Sequence, residues 1–284
     1  MEFVDTPQFF LPSQNGKIHY RDFRRENAPV VCLLPGFTMP SNLYCPLANE
    51  LMNNGFSVLV IDYWGRGFSE HPNDGNFGLS SYITEVLSLL SYLQVKKCHL
   101  IGFSYGAVVA AGLVSKSPEL IDKMIFISPL FSSNSPSPLQ KFTLGTRFLG
   151  PLVLKFTYSL TIPEQISQQF YSPTSCEEIV KSVANVCMKQ FQTSWSNTCA
   201  ISKSIASYDQ NEIDQTITVL ANVNKRMMVI LGDHDNLMDI DDSKDWWSKW
   251  VPNSEIAISE ESGHLLFLEK QKETIDKILP FLNA

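Results

Sequence analysis

Continuous apolar runs and helical stripes take turns along the first half of the chain. Val30-Val31-Cys32-Leu33-Leu34, Ser57-Val58-Leu59-Val60-Ile61-Asp62, Cys98-His99-Leu100-Ile101 and Lys123-Met124-Ile125-Phe126-Ile127 show little polar alternation. Such runs predict strands buried on both faces. Residues 41–54 carry Leu43, Leu47 and Leu51 four apart, which predicts a helix. A second helix is predicted over 80–94, with Ser80 and Ser81 as candidate caps, and a third after residue 104. Ahead of them, Phe9-Phe10-Leu11 and Lys17–Phe23 flank Gln14-Asn15-Gly16, where Asn-Gly favours a tight hairpin turn. Strands separated by helices predict an α/β fold: a mostly parallel central sheet with helices on both faces.

The alternation stops near residue 129. Residues 130–214 have little strand character and include a Ser/Pro-rich stretch, Ser132–Pro138. They are rich in aromatics, among them Phe142, Phe148, Phe156, Phe191, Trp195 and Tyr208. Strand pattern resumes at Met227–Leu231 and Ile256–Ile258, and a helix is predicted over 265–282. The expectation is a core domain from 1–129 and 215–284 with a helical cap inserted at 130–214.

Bulk properties narrow the classes. A net charge of -7 and the lack of a Lys/Arg run argue against a nucleic-acid surface. No run of 18 apolar residues occurs, so no transmembrane helix is predicted. Cysteines 32, 45, 98, 176, 187 and 199 form neither C-x-x-C nor a zinc-ligand spacing. They read as reduced structural thiols, with no metal site. The first residues, Met-Glu-Phe-Val-Asp-Thr-Pro, lack the apolar core of a signal peptide, and a cytoplasmic location is expected.

Chemistry enters with Gly102-Phe103-Ser104-Tyr105-Gly106, set between an apolar strand and a small-residue helix. A serine on such a turn is held in a strained conformation with its hydroxyl lifted from the sheet. The following helix points N–H groups at negative charge developing there, so the Tyr105 amide is a candidate oxyanion donor. A serine nucleophile needs a base, and the base needs an orienting acid. His19 and His99 sit in strands and read as structural, while His71 and His234 lie in loops without catalytic context. His264 follows the last strand, where an open sheet places functional groups. The preceding loop offers Asp233, Asp235 and Asp239, and composition does not choose among them.

Ser104, an aspartate and His264, in that order, resemble the α/β-hydrolase superfamily over essentially the whole chain. The resemblance selects Asp235, which ends a G-x-x-D turn at Gly232-Asp233-His234-Asp235. It also covers Asp62-Tyr63-Trp64-Gly65-Arg66-Gly67-Phe68-Ser69, a structural turn beneath the site, and Gly263-His264 followed by Glu269. The family places a second oxyanion donor after a His-Gly pair. Here Pro35-Gly36-Phe37 makes Phe37 the candidate, and proline in place of histidine requires another brace for the loop. The family implies a metal- and cofactor-free serine hydrolase. A serine at the elbow removes the aspartate-dependent dehalogenases and epoxide hydrolases.

The loop departs from the His-Gly-Gly-Pro-Gly of proline iminopeptidases, and the insertion is nearly balanced in charge and rich in Phe. Both favour a lipophilic small-molecule ester, as in the esterase and monoacylglycerol-lipase-like branches. Thr38, Met39, Phe142, Phe148, Phe156 and Trp195 are candidate pocket residues, against the alternative that the aromatics only pack the cap. A peptidase of the same fold and a non-catalytic ligand-binding member are the competing readings.

Overall fold

In a computed structural model of the chain, residues 8–13, 16–71, 75, 77–131 and 136–284 are described. Met1–Pro7, Gln14-Asn15 of the expected hairpin turn, and Ser132–Ser135 lie outside them. Eight strands form one sheet among the described residues: β1 Gln8–Ser13, β2 Gly16–Phe23, β3 Val30–Leu34, β4 Ser57–Ile61, β5 Cys98–Phe103, β6 Ile121–Ile127, β7 Arg226–Gly232 and β8 Glu255–Ser259. Their order is β1-β2-β4-β3-β5-β6-β7-β8. β1 and β2 pair as the expected hairpin, with Leu11 opposite Ile18, and β2 runs antiparallel to β4. Every later pairing is parallel.

The all-apolar strands follow from two-sided burial. Cys32, Leu34, Leu59 and Ile61 face a cluster with α2 (Leu79–Tyr92), α3 (Tyr105–Lys116) and Trp247 of α9 (Ile240–Trp250). Their neighbours Val31, Leu33, Val58 and Val60 face the opposite cluster, with α1 (Cys45–Asn53) and α11 (Gln271–Asn283). Each fully buried aliphatic side chain contributes about 1.5–3 kcal/mol by leaving water.

Helix boundaries correct two expectations. The helix expected over 41–54 opens as a 3-10 turn, Ser41–Tyr44, before α1 begins with a proline in its first turn. α2 is preceded by Gly78; Ser80 and Ser81 lie inside its first turn and make no side-chain cap bond.

Between β6 and β7 the described residues contain helices and no strand: α4 Pro138–Gly145, α5 Leu149–Ser167, α6 Glu177–Thr193, α7 Trp195–Ala206 and α8 Gln210–Ile217. α5 packs on α6 and α7, and α4 on α5 and α7. α8 packs on α3, and Ile213 and Ile217 join the cluster beneath it. The expected boundary at 214 therefore cuts a helix already seated on the core. Among the described residues no helix is long and apolar enough to cross a membrane.

Glu85 on α2 is buried in this core. One carboxyl oxygen accepts the Trp64 N–H at 2.8 Å, and the other has no hydrogen-bond partner among the described residues. Burial pushes its pKa well above the usual carboxylate range, against the lowering effects of that hydrogen bond and of Arg66. The fold thus favours the neutral acid, and stability is lost as pH rises from the unfolded-state value, about 4.3, toward the raised one. Glu85→Gln keeps an acceptor for Trp64. It is expected to raise Tm at alkaline pH, with the gain shrinking toward pH values of about 4. Thermal melts across pH measure this, and a pH-independent difference would remove protonation as the cause.

Candidate active site

β5 ends at Phe103 and α3 begins at Tyr105, so Ser104 makes the turn alone. It sits at φ 53 and ψ -119, a region that a non-glycine residue occupies only when its surroundings hold it there. Its N–H donates to the Ile127 carbonyl at 3.0 Å, and its carbonyl accepts from Ala107 N–H at 3.0 Å. Close crossing requires the flanking glycines. A Cβ at Gly106 would lie 2.1 Å from the Leu34 carbonyl oxygen, and one at Gly102 would lie 2.6 Å from the Gly106 oxygen.

His264 lies between β8 and the short helix α10 (Leu266–Glu269). Its Nε2 is 3.1 Å from Ser104 Oγ, and its Nδ1 is 2.7 Å from Asp235 Oδ2. An ionised carboxylate only accepts, so Nδ1 carries the proton and Nε2 is left to accept from the serine hydroxyl. The Phe103 ring packs on the imidazole at 5.1 Å between centroids. The second Asp235 oxygen accepts from Leu237 N–H at 2.9 Å. Ser104, Asp235 and His264 are only 7%, 7% and 2% exposed, so their polar atoms depend on one another rather than on water.

The other two aspartates have different partners. Asp233 accepts from Ser262 N–H at 3.0 Å and pairs with His234 at 2.8 Å. Burial raises its pKa, but the hydrogen bonds from His234, Ser262 and Glu261 outweigh this and leave it lowered. Asp239 caps α9, accepting from the amides of Asp241 and Asp242. Of the three candidates, Asp235 alone is bonded to His264 among the described residues. His19 is tied 2.6 Å from Asp62, whose carboxylate also accepts from Ser41 and Phe68 amides. His99 lies in β5, and His71 borders an open depression elsewhere.

Loop 35–39 comes close to the serine: a methyl on Gly36 would lie 3.5 Å from Ser104 Cβ. As the first residue of α3, Tyr105 has no carbonyl four residues back within its helix to accept its N–H. Its ring meets that of Phe37 edge-on at 4.9 Å. Three side chains replace the missing histidine as braces. Tyr44 Oη accepts the Gly36 N–H at 2.9 Å, Arg66 Nε donates to the Phe37 carbonyl at 2.9 Å, and Gln190 Nε2 donates to the Thr38 carbonyl at 2.8 Å. Gln190 Oε1 also accepts from Gly67 N–H at 3.0 Å. Arg66 additionally bonds the Trp64 carbonyl and Ser204 Oγ, both at 2.9 Å.

Sequence reasoning missed Tyr44 and Gln190. Gln190 lies on α6, 152 positions from Thr38, and no local pattern signals that pairing. Glu269 performs a similar task at the base. Its carboxylate accepts from the amides of Gly263, Tyr171 and Ser172, holding the His264 loop against the chain after α5.

Met39 and Tyr105 are buried and Thr38 is half-buried beside the site. The expected cap aromatics are placed differently. Phe142, Phe148, Phe156 and Trp195 are 74%, 71%, 69% and 46% exposed. Phe148 and Trp195 border an open depression of about 530 Å³ with Phe77 and Arg147. α5 instead buries Leu154, Ile162 and Ile166, in the cluster that holds Met39 and Phe103. Phe156 is two residues from Leu154, on the other side of the helix. A separate cavity of about 370 Å³ opens between Pro129-Leu130-Phe131 after β6 and Leu237-Met238 after β7, next to the Asp235 loop.

The chain belongs to the alpha/beta hydrolase fold family, whose model matches residues 29–271. It is similar to an uncharacterized carboxylesterase, nap, of Bacillus subtilis, with 19% identity over 99% of this chain and 88% of the relative. It is also similar to a proline iminopeptidase of Heyndrickxia coagulans, with 22% identity over 97% of this chain and 98% of the relative. Four other curated relatives match over only 35% to 44% of their own length. Among solved structures, the serine hydrolase CCSP0084 of Cycloclasticus zankles superposes with a TM-score of 0.79 at 16% identity, covering 98% of both chains. At that identity the likeness is one of fold.

Proposed function

We propose that the chain is a serine hydrolase of carboxylic esters with an apolar acyl or alcohol part. The observation that carries the reading is the unbroken chain of contacts from Ser104 Oγ to His264 Nε2 and from Nδ1 to Asp235. His264 Nε2 takes the hydroxyl proton as Oγ attacks the ester carbonyl. The amides of Phe37 and Tyr105 donate to the resulting oxyanion. Nε2 returns the proton to the departing alcohol oxygen, leaving an acyl group on Ser104. Water then loses a proton to Nε2, attacks the acyl carbon and releases the acid, and the proton returns to Oγ. Asp235 holds the tautomer and stabilises the imidazolium.

The residues around Ser104 support an apolar substrate. Phe37, Met39, Tyr105 and the inward face of α5 present few charges, and an apolar pocket favours each buried methylene by about 0.8 kcal/mol. The helices between β6 and β7 act as the cap. Six free thiols support a reducing cytoplasmic setting.

Two measurements test the reading. Covalent labelling by a fluorophosphonate reports an activated serine. A p-nitrophenyl ester series is expected to show kcat/KM rising from acetyl to medium acyl chains and then falling once the pocket is filled. A flat or declining series from acetate onward would refute the lipophilic pocket. The full-length likeness to a proline iminopeptidase keeps a second reading, amide cleavage, in view. Turnover of aminoacyl-anilides above that of esters would select it.

The braces on the oxyanion loop carry their own expectation. Tyr44→Phe leaves the Gly36 N–H without its acceptor, and Gln190→Ala frees the Thr38 carbonyl. Each is expected to lower kcat about tenfold with little change in KM, because a displaced oxyanion donor matters in the transition state rather than in substrate binding. A rise in KM at constant kcat would assign these residues to binding instead.

A further inference from the structure

α5 is apolar on two opposite faces. Leu154, Ile162 and Ile166 are buried in the core. Leu149, Leu152, Phe156 and Leu160, spaced by three and four, are 53%, 59%, 69% and 67% exposed. Such spacing makes one continuous stripe on the outer side. On α4, Leu139 and Phe142 add 74% exposure each, and Phe148 at the junction adds 71%. Large apolar side chains on a protein surface are ordinarily scattered singly, and gathering them marks an interaction site.

Charge identifies what covers this face. From Lys123 to Pro163 the sequence contains no Asp or Glu, although the whole chain carries a net charge of -7. Lys141 in this stretch is tied to the Tyr208 carbonyl. Arg147 is exposed, its guanidinium 5.4 Å from the Phe148 ring centre, and Lys155 is half-buried on α5. A second copy pairing symmetrically through this face would bring like charges together. A negatively charged lipid surface offers both apolar depth and opposite charge.

We propose that the α4–α5 face docks the protein on an anionic phospholipid bilayer. Phe142, Phe148, Phe156 and the exposed leucines enter the boundary between headgroups and acyl chains, while Arg147 and Lys155 remain at phosphate level. A groove of about 540 Å³ lies between α4 and α5, lined by Leu139, Leu144, Val153 and Tyr158 together with threonines and glutamines of both helices, and Leu139 borders both it and the exposed apolar face. The docking goes beyond the ester-hydrolase reading and does not require a working Ser104.

Flotation of the full chain with phosphatidylcholine vesicles, with and without about one-fifth phosphatidylglycerol, tests the proposal. Binding to the anionic vesicles is expected to exceed binding to the neutral ones about tenfold and to weaken with added NaCl. Leu149→Ser/Leu152→Ser/Leu160→Ser is expected to lower partition about tenfold or more. Its Tm and its hydrolysis of a water-soluble acetate ester should stay at wild-type values. Arg147→Glu/Lys155→Glu should remove the preference for anionic lipid. Ser104→Ala should bind as the wild type, which separates this test from the fate of the hydrolase reading. Three results overturn the proposal: no binding to either vesicle, wild-type binding by the triple serine variant, or a dimer in sedimentation equilibrium that this variant dissociates.

Discussion

Ser104→Ala is expected to abolish ester turnover, by about 10⁶-fold in kcat if the triad acts as a unit. Fluorophosphonate labelling should disappear with it. The physical case rests on how little else the hydroxyl does. Among the described residues its one side-chain hydrogen bond is to His264 Nε2 at 3.1 Å. The strained φ of 53 falls on alanine as it does on serine, because both carry a Cβ. Removing Oγ leaves the Gly102 and Gly106 crossings untouched. Tm should therefore move by no more than the few degrees of a surface-like change. Kinetics on p-nitrophenyl esters, paired with thermal melts, separate lost chemistry from lost fold. Wild-type turnover in the variant would end the nucleophile assignment. Inactivity accompanied by a collapsed melt would shift the explanation to folding, and a Ser104→Cys variant that labels with a thiol reagent would then show whether the elbow still presents its side chain.

What the sequence revealed follows the range of the interactions involved. The parallel strands were legible because burial on both faces removes polar positions from β3 to β7. The elbow was legible because strand, turn and helix are contiguous from Cys98 to Lys116. His264 could be ranked above the other histidines from its place after the last strand. Asp235 required the resemblance, because Asp233, Asp235 and Asp239 lie in one loop and differ only in which partner each meets. The hydrogen bonds that brace Gly36, Phe37 and Thr38 were illegible, although the turn that carries Arg66 was not. Tyr44, Arg66 and Gln190 come from three separate elements, and their hydrogen bonds exist only in the folded chain. The aromatics of the expected cap are placed differently for a related reason. Abundant Phe in 130–214 indicates apolar surface, but the direction of each side chain depends on the phase of α4 and α5 against the core. The phase of α5 buries Leu154, Ile162 and Ile166 and turns Phe156 outward. Ser80 and Ser81 failed as caps because α2 starts one residue earlier than its polar pattern suggests.

Asp235→Asn is expected to lower kcat by about 10⁴-fold while leaving the site in place. An asparagine amide can donate where the carboxylate could only accept. His264 would then carry its proton on Nε2, facing Ser104, and could no longer accept the hydroxyl proton. The positive charge formed on the imidazole during attack would also lose its partner at 2.7 Å, in surroundings where His264 is 2% exposed and water does not compensate. The two neighbouring aspartates provide internal controls. Asp239→Asn should be nearly silent, since asparagine caps a helix about as well as aspartate and the side-chain hydrogen bonds of Asp239 among the described residues are those to the α9 amides. Asp233→Asn keeps an oxygen for the Ser262 amide and loses mainly a half-exposed pairing with His234, so its effect should stay within about tenfold. Steady-state kinetics on all three variants, with substrate and pH held fixed, would rank them. If Asp233→Asn or Asp239→Asn causes the large loss and Asp235→Asn does not, the acid of the triad is misassigned, and the contact between Asp235 and His264 is structural.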